Sequence, residues 1–343
     1  MMHLIPSIIL ILTTQQLLAN NHLKLESKAP WPSFRNNMKN TGSSHREVMI
    51  SNQRQPWSFK TKKGIFSSPV VDSANNVYIG SADKNFYALD IKGRQNWVFP
   101  TNEIIDSSAV LSQDTTGKKY ITIPSGDGHL YHLRRKKSSI SPELIWSFDS
   151  HKHPHPSGKG YTWFEGNIAL SPTGDLYAGS TNWNYYSISS IGKLNWVFPA
   201  KNMNWAITAF DDDGNLFWNS LDFKTRKMSP TGEVIWERSS WGYNVSSIAL
   251  DSENAYFGSF DGYIYSLNQE TGQKNWAFAT GDHVYSSPAL WQDENDMTKA
   301  IVVASADGYL YSLSPEGEVN WRFDAGDVIR SSPVIGRSPD NRQ

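Results

Sequence analysis

Few residues of this chain stand in a spacing that could do chemistry. Glu165-Gly166-Asn167 sets two oxygen donors two residues apart, a fragment of a calcium shell, but calcium takes about six to eight oxygens and no matching aspartate motif completes the set. His151-Lys152-His153-Pro154-His155-Pro156 alternates imidazoles along a proline-stiffened run. Such a run can point nitrogens at a transition metal from one side, and otherwise reads as an exposed loop. Asp211-Asp212-Asp213-Gly214-Asn215 lacks the spacing of a calcium loop and fits a hairpin turn. Arg134-Arg135-Lys136-Lys137 either docks an anionic partner or forms a solvated turn. Nothing assembles a nucleophile, a base and an orienting third group. With no cysteine there is no thiol chemistry, no disulfide and no thiol for lipidation. We assign no catalytic, cofactor or metal residue on these grounds.

The elements that would position any site are clearer. The stretch Ser259 to Phe278 reads as two strands. Asp261-Gly262 opens the first, Tyr263, Tyr265 and Leu267 alternate along it, Thr271-Gly272 turns the chain, and Asn275 to Phe278 form the second. Relatives of this unit recur. Tryptophans stand in matching positions at Trp57, Trp97, Trp146, Trp196, Trp236, Trp276 and Trp321, spaced by 40, 49, 50, 40, 40 and 45 residues. That is the length of one four-stranded propeller blade. Each repeat begins with a small polar strand, as at Ser67-Ser68, Ser107-Ser108, Ser246-Ser247, Ser286-Ser287 and Ser331-Ser332, and small side chains fit where strands converge on an axis. The predicted fold is an all-β propeller with six complete four-stranded antiparallel repeats and a partial seventh.

The partial blade shows as two orphans, an outer strand at Trp57-Ser58-Phe59 and an inner strand at Ser331 to Ile335. Either the last blade is a remnant filled out by Glu47-Val48-Met49-Ile50, or the chain is a truncated copy of an eight-bladed propeller. The repeated indole reads as packing. Burying one removes about 150–250 Å² from water, worth up to about 4–6 kcal/mol before entropy. Binding would fall instead where the repeats differ, at the starts of the inner strands: Phe66, Asp106, Glu165, Trp205, Asn244, Tyr285 and Arg330. These form a candidate pore mouth for a small molecule or peptide.

Charge is balanced, with 32 basic and 33 acidic residues, so no overall field favours nucleic acid or an acidic membrane. The apolar run Leu4 to Leu12, followed by Leu17-Leu18-Ala19, reads as a secretory signal cleaved after Ala19 and is too short to span a bilayer. The chain divides into a signal at 1–19, an extended lead-in at 20–54 and the propeller at 55–343. The expected product is periplasmic or secreted, monomeric and without a transmembrane anchor.

Ala88-Leu89-Asp90, Thr271-Gly272 and Trp276, with the lead-in block Trp31-Pro32-Ser33-Phe34-Arg35 and Asn40-Thr41-Gly42, resemble the PQQ-type β-propeller repeat. The resemblance covers roughly residues 30–335. It implies the propeller fold and membership of a group that holds quinoprotein alcohol dehydrogenases, the outer-membrane assembly lipoprotein BamB and proteins of other roles. The dehydrogenases carry a vicinal cysteine pair beside the quinone and a calcium set of Glu, Asn and Asp, and this chain has no cysteine. The expectation is a BamB-like scaffold or adaptor that binds protein partners of the cell envelope, with neither PQQ nor calcium. The alternative is a small-molecule-binding or vestigial quinoprotein propeller.

Overall fold

A computed structural model describes residues 22–47, 56–136 and 141–337. The secretory-signal reading, Val48 to Ile50, Lys137 and the residues after Arg337 lie outside the described residues. Six sheets follow one another along the chain, each built from consecutive antiparallel strands. Blade one comprises Val70–Val71, Val77–Gly80, Asn85–Leu89 and Gln95–Pro100. The innermost strands of blades two to six are Val110–Gln113, Ala169–Leu170, Ala209–Phe210, Ala249–Leu250 and Ala289–Gln292. The outermost are Glu143–Asp149, Leu194–Pro199, Val234–Ser239, Lys274–Ala279 and Val319–Asp324. Among the described residues the only helical element is a single turn, Ser150–Lys152.

The core is layered between the blades. Neighbouring residues on a strand point to opposite faces, so Leu111 packs toward blade one with Val70 and Tyr78, while Val110 packs toward blade three with Ile168 and Leu170. One such layer fills each interface from blade one to blade six. Tryptophan closes these interfaces at the rim. The indole N–H of Trp276 donates to the Pro315 carbonyl of the next blade at 2.8 Å, and Trp57, Trp146, Trp196 and Trp236 donate likewise to Ile91, Ser190, Pro230 and Gln269. Each ring lies flat on the turn glycine of that next blade. At Gly272, where φ is +65°, a Cβ would overlap the Trp236 ring, so the glycine serves both the turn and the seat. Trp97 is buried against Tyr78 and Phe86. Trp321 is 48% exposed on an outermost strand exposed along its whole length.

Trp57 to Phe59 form no strand, although the Trp57 indole occupies the same seat as its counterparts and Phe59 packs edge-on against Tyr87 at 5.2 Å. The partial blade is a two-stranded parallel sheet of Ser43–Glu47 and Ile335–Arg337, with Ser43 opposite Ile335. The lead-in crosses the propeller at one end. Carbonyls of Trp31, Pro32, Met38, Lys39, Thr41 and Gly42 accept from the N–H groups of Val71, Leu111, Phe210, Leu250, Leu290 and Ile335 in turn, at 2.8 to 3.0 Å. These are equivalent inner-strand residues, whose edges would otherwise be left unpaired. Lys24–Leu25 adds a fifth strand to blade two. Arg35 is the centre of this cover. Its guanidinium donates to the carbonyls of Pro333 at 2.9 Å and Pro288 at 2.7 Å, and burial pushes its pKa down to about 9, which still leaves it charged at neutral pH.

The basic run behaves differently from a solvated turn. Arg135 is buried and pairs with Glu26 of the lead-in and, at 2.9 Å, with Asp72 of blade one. Lys119 adds a 2.8 Å contact to Glu26. Arg134 and Lys136 both pair with Glu143. Each described cation is therefore committed within the molecule. The Asp211 run is a hairpin turn, its carboxylate accepting from the backbone N–H groups of Asp213 and Asn215.

Candidate functional site

The connections from each outermost strand to the next innermost strand gather, with the turns between the second and third strands, at the end opposite the lead-in. Serine holds this end together. The N–H of Ser68 donates to the Ser108 hydroxyl at 3.2 Å, Ile207 to Ser247, Ser247 to Ser287 and Ser287 to Ser332. Asn167 takes the equivalent place in blade three, its side-chain oxygen accepting from Ser108 N at 2.7 Å. The paired serines thus stitch blade to blade beside the axis, and Asn167 is part of that stitching.

The seven expected mouth residues divide into groups. Asp106 and Glu165 face one another across the blade two to blade three boundary, and the Trp205 side chain hydrogen-bonds Glu165. Burial, reinforced by the Glu165 charge, pushes the Asp106 carboxyl up to about 7, and its Oδ1 is buried without a hydrogen-bond partner. Burial also raises Glu165, with the Trp205 hydrogen bond opposing it. Two carboxyls with raised pKa values thus sit together at this boundary, the pattern of a candidate binding site. Tyr285 and Arg330 form a second group, with the guanidinium 5.2 Å from the ring centroid. Asn244 is buried and accepts from the Ser240 hydroxyl at 2.9 Å, a structural role. Phe66 stands out in solvent at 73% exposure.

The same end carries aromatic residues outside that set. Trp241 is 94% exposed and Tyr161 73%. Phe223 stacks on Tyr243 at 5.0 Å, and Tyr243 meets Phe260 at 6.2 Å. Ser240-Trp241-Gly242-Tyr243 carries the available signal in the chain, two large aromatics in a segment with no strand pattern. The opposite end holds a polar cavity of about 280 Å³ lined by Asp211 to Asp213, Asp251, Glu253 and Lys227.

Comparison with known proteins points to the same repeat. Residues 203–338 match the family described as outer membrane protein assembly factor BamB. The chain folds as a β-propeller, and its residues 203–338 are similar to the PQQ-type repeat. The crystal structure of BamB from Moraxella catarrhalis superimposes on this propeller with a TM-score of 0.62, covering 81% of this chain and 79% of that one at 16% identity, a likeness of fold. A quinoprotein ethanol dehydrogenase of Pseudomonas putida is 30% identical over 83 residues, 23% of this chain. Its counterpart in Pseudomonas aeruginosa is 28% identical over 80 residues, also 23% of this chain. The match spans only 13% of the length of either dehydrogenase. Among the described residues of this propeller, no helix is long and apolar enough to cross a membrane.

Proposed function

We propose that this PQQ-type propeller is an exported, non-enzymatic scaffold that binds protein partners of the cell envelope through its aromatic mouth. The observation that carries this reading is the exposure of Trp241, Tyr161 and Phe66 at one end of the molecule. Exposed large aromatics on loops held by a rigid scaffold are the usual anchors of protein interfaces. The match to the BamB family supports the same assignment. The donor set argues against a quinone with calcium. The Asn167 oxygen is already taken by Ser108 N, which leaves carboxylates from two residues, Asp106 and Glu165, for an ion that takes about six to eight oxygens.

A photo-crosslinking amino acid at position 241 or 161, in the full chain expressed in a Gram-negative envelope, is expected to give discrete adducts. The same probe at position 212 or 252, on the opposite end, is expected to give none. Adducts only from positions 212 and 252 would sink the reading.

The Asp106–Glu165 pair favours a second reading, a small-molecule-binding propeller, because a buried carboxyl oxygen without a partner is a place for a ligand. A thermal-shift screen with PQQ and calcium separates the two readings. A rise in melting temperature that Glu165→Gln abolishes supports the second reading through linkage. No rise with either supports the scaffold.

A further inference from the structure

The histidine run points to a different partner set from the one its alternation suggests. His153 stacks on Phe148 with ring centroids 5.4 Å apart, and its carbonyl accepts from Asn184 at 2.9 Å. His155 places Nε2 3.0 Å from the Ala200 carbonyl and Nδ1 2.7 Å from the Ser157 hydroxyl. Both are committed to packing the connection. His151 instead turns back to blade two. Its Nδ1 lies 3.0 Å from Asp149 Oδ1, and His129 Nε2 lies 3.8 Å from the same oxygen. One ligand atom from each of the three residues falls within 4.8 Å of the other two.

We propose that His129, Asp149 and His151 bind one divalent transition-metal ion. Ligand atoms about 2.1 Å from a tetrahedral zinc stand about 3.4 Å apart, which the 3.0 and 3.8 Å separations bracket. Two imidazoles and a carboxylate form a donor set suited to zinc and its neighbours, with the remaining position open to water. The tautomer of His129 is already set. Its Nδ1 donates to the Asp127 carbonyl at 3.0 Å, so Nε2 presents its lone pair toward Asp149, the outer-shell arrangement typical of metal-binding histidine. His151 has a prepared seat. Gly128, at φ +78°, has no Cβ, and one placed there would overlap the His151 ring. Ser150 ties the segment down by donating its N–H, at 3.0 Å, and its hydroxyl, at 2.7 Å, to the Gly128 carbonyl. In the metal-free protein His151 Nδ1–H donates to the Asp149 carboxylate. The ion takes that place while the proton moves to Nε2 through solvent, and no net charge is lost from the ring. Lys152, 3.7 Å from Asp149 Oδ2, is the competing cation.

The ion would clamp the turn of blade two to the start of the connection that carries Tyr161 and Trp163 to the mouth. This assignment stands apart from the partner reading above.

Tag-free full-length protein, stripped with chelator and titrated with zinc chloride at pH 7.5 by calorimetry, is expected to bind one equivalent. His151→Ala, whose side chain is 52% exposed and so leaves the fold intact, is expected to weaken binding at least about tenfold. His129→Ala and Asp149→Asn are expected to do the same, their folding checked by unchanged metal-free melting. His153→Ala is expected to bind as the parent does. Cobalt(II) in place of zinc is expected to give the intense visible bands of a four-coordinate site. No saturable uptake by the parent protein, or uptake unchanged by His151→Ala, would overturn the proposal.

Discussion

Replacing Asp106 with asparagine should stabilise the propeller, and only at neutral to alkaline pH. The folded carboxyl titrates at about 7 against an ordinary 3.8, first because it is buried and second because Glu165 repels it. The folded state therefore holds a proton that the unfolded chain releases, so stability falls as pH rises from about 4 to about 7 and is level above that. The gap of about 3 pH units, at about 1.4 kcal/mol each, sets a ceiling of about 4 kcal/mol. Partial solvent access reduces the expected gain in Asp106→Asn to about 1–2 kcal/mol at pH 8, or about 2–4 °C in Tm for a domain of this size. Thermal melts at half-unit steps from pH 4 to 8.5 measure it. The variant curve should meet the parent curve near pH 4 and lie above it at pH 8. Glu165→Gln removes the repulsion, so in that variant the fall in stability should still begin near pH 4 but end at a lower pH. An Asp106→Asn difference that is the same at pH 4 and pH 8, or a loss of stability at pH 8, would refute the reasoning.

Three further perturbations follow from the fold. His132 is buried between Tyr120 and Trp146, at 4.9 and 4.7 Å, and burial lowers its pKa to about 3. The unfolded chain therefore takes up a proton that the folded one refuses as pH falls below about 6.5, and His132→Phe should flatten this acid limb by about 2 kcal/mol at pH 5 in urea titrations. Glu26→Gln leaves Arg135 buried beside a weakened partner set and should cost about 3 kcal/mol. That loss should persist in 0.5 M salt, unlike that of a surface pair. Trp236→Ala opens a space over Gly272 and removes the bond to Gln269, and calorimetry should record a loss of about 3–5 kcal/mol.

The blades were legible because tryptophan, turn glycine and serine recur at one period, each tied to a position that any blade must fill. The seat of Trp57 was legible for the same reason, although its backbone joins no sheet. The lead-in was not. It holds the propeller through carbonyl oxygens at Trp31, Pro32, Met38 and Lys39, and backbone groups leave no mark in side-chain pattern. Arg135 was misread because its partners, Glu26 and Asp72, lie 109 and 63 residues away. At the mouth, the places where repeats diverge could be listed from sequence. That Asp106 meets Glu165, while Asn244 is turned inward, depends on packing between blades. His129 was invisible beside Asp149 and His151 because two strands, His129–Arg135 and Glu143–Asp149, lie between them along the chain and their antiparallel pairing brings the ends back together.

The lead-in across the inner strands also fixes an order of events during folding. Arg35 emerges early in synthesis, yet its acceptor at Pro333 follows 298 residues later. Neighbouring blades can zip up through local hairpins as they appear, but this cover waits for a contact of very long sequence separation, whose loop-closure entropy must be met before it stabilises anything. The buried guanidinium thus acts as a completion signal. Until the last inner strand arrives, Arg35 has only its Pro288 acceptor and the Gly42 carbonyl lacks the N–H of Ile335, and the unfinished ring is the form most open to proteolysis and to pairing with another chain.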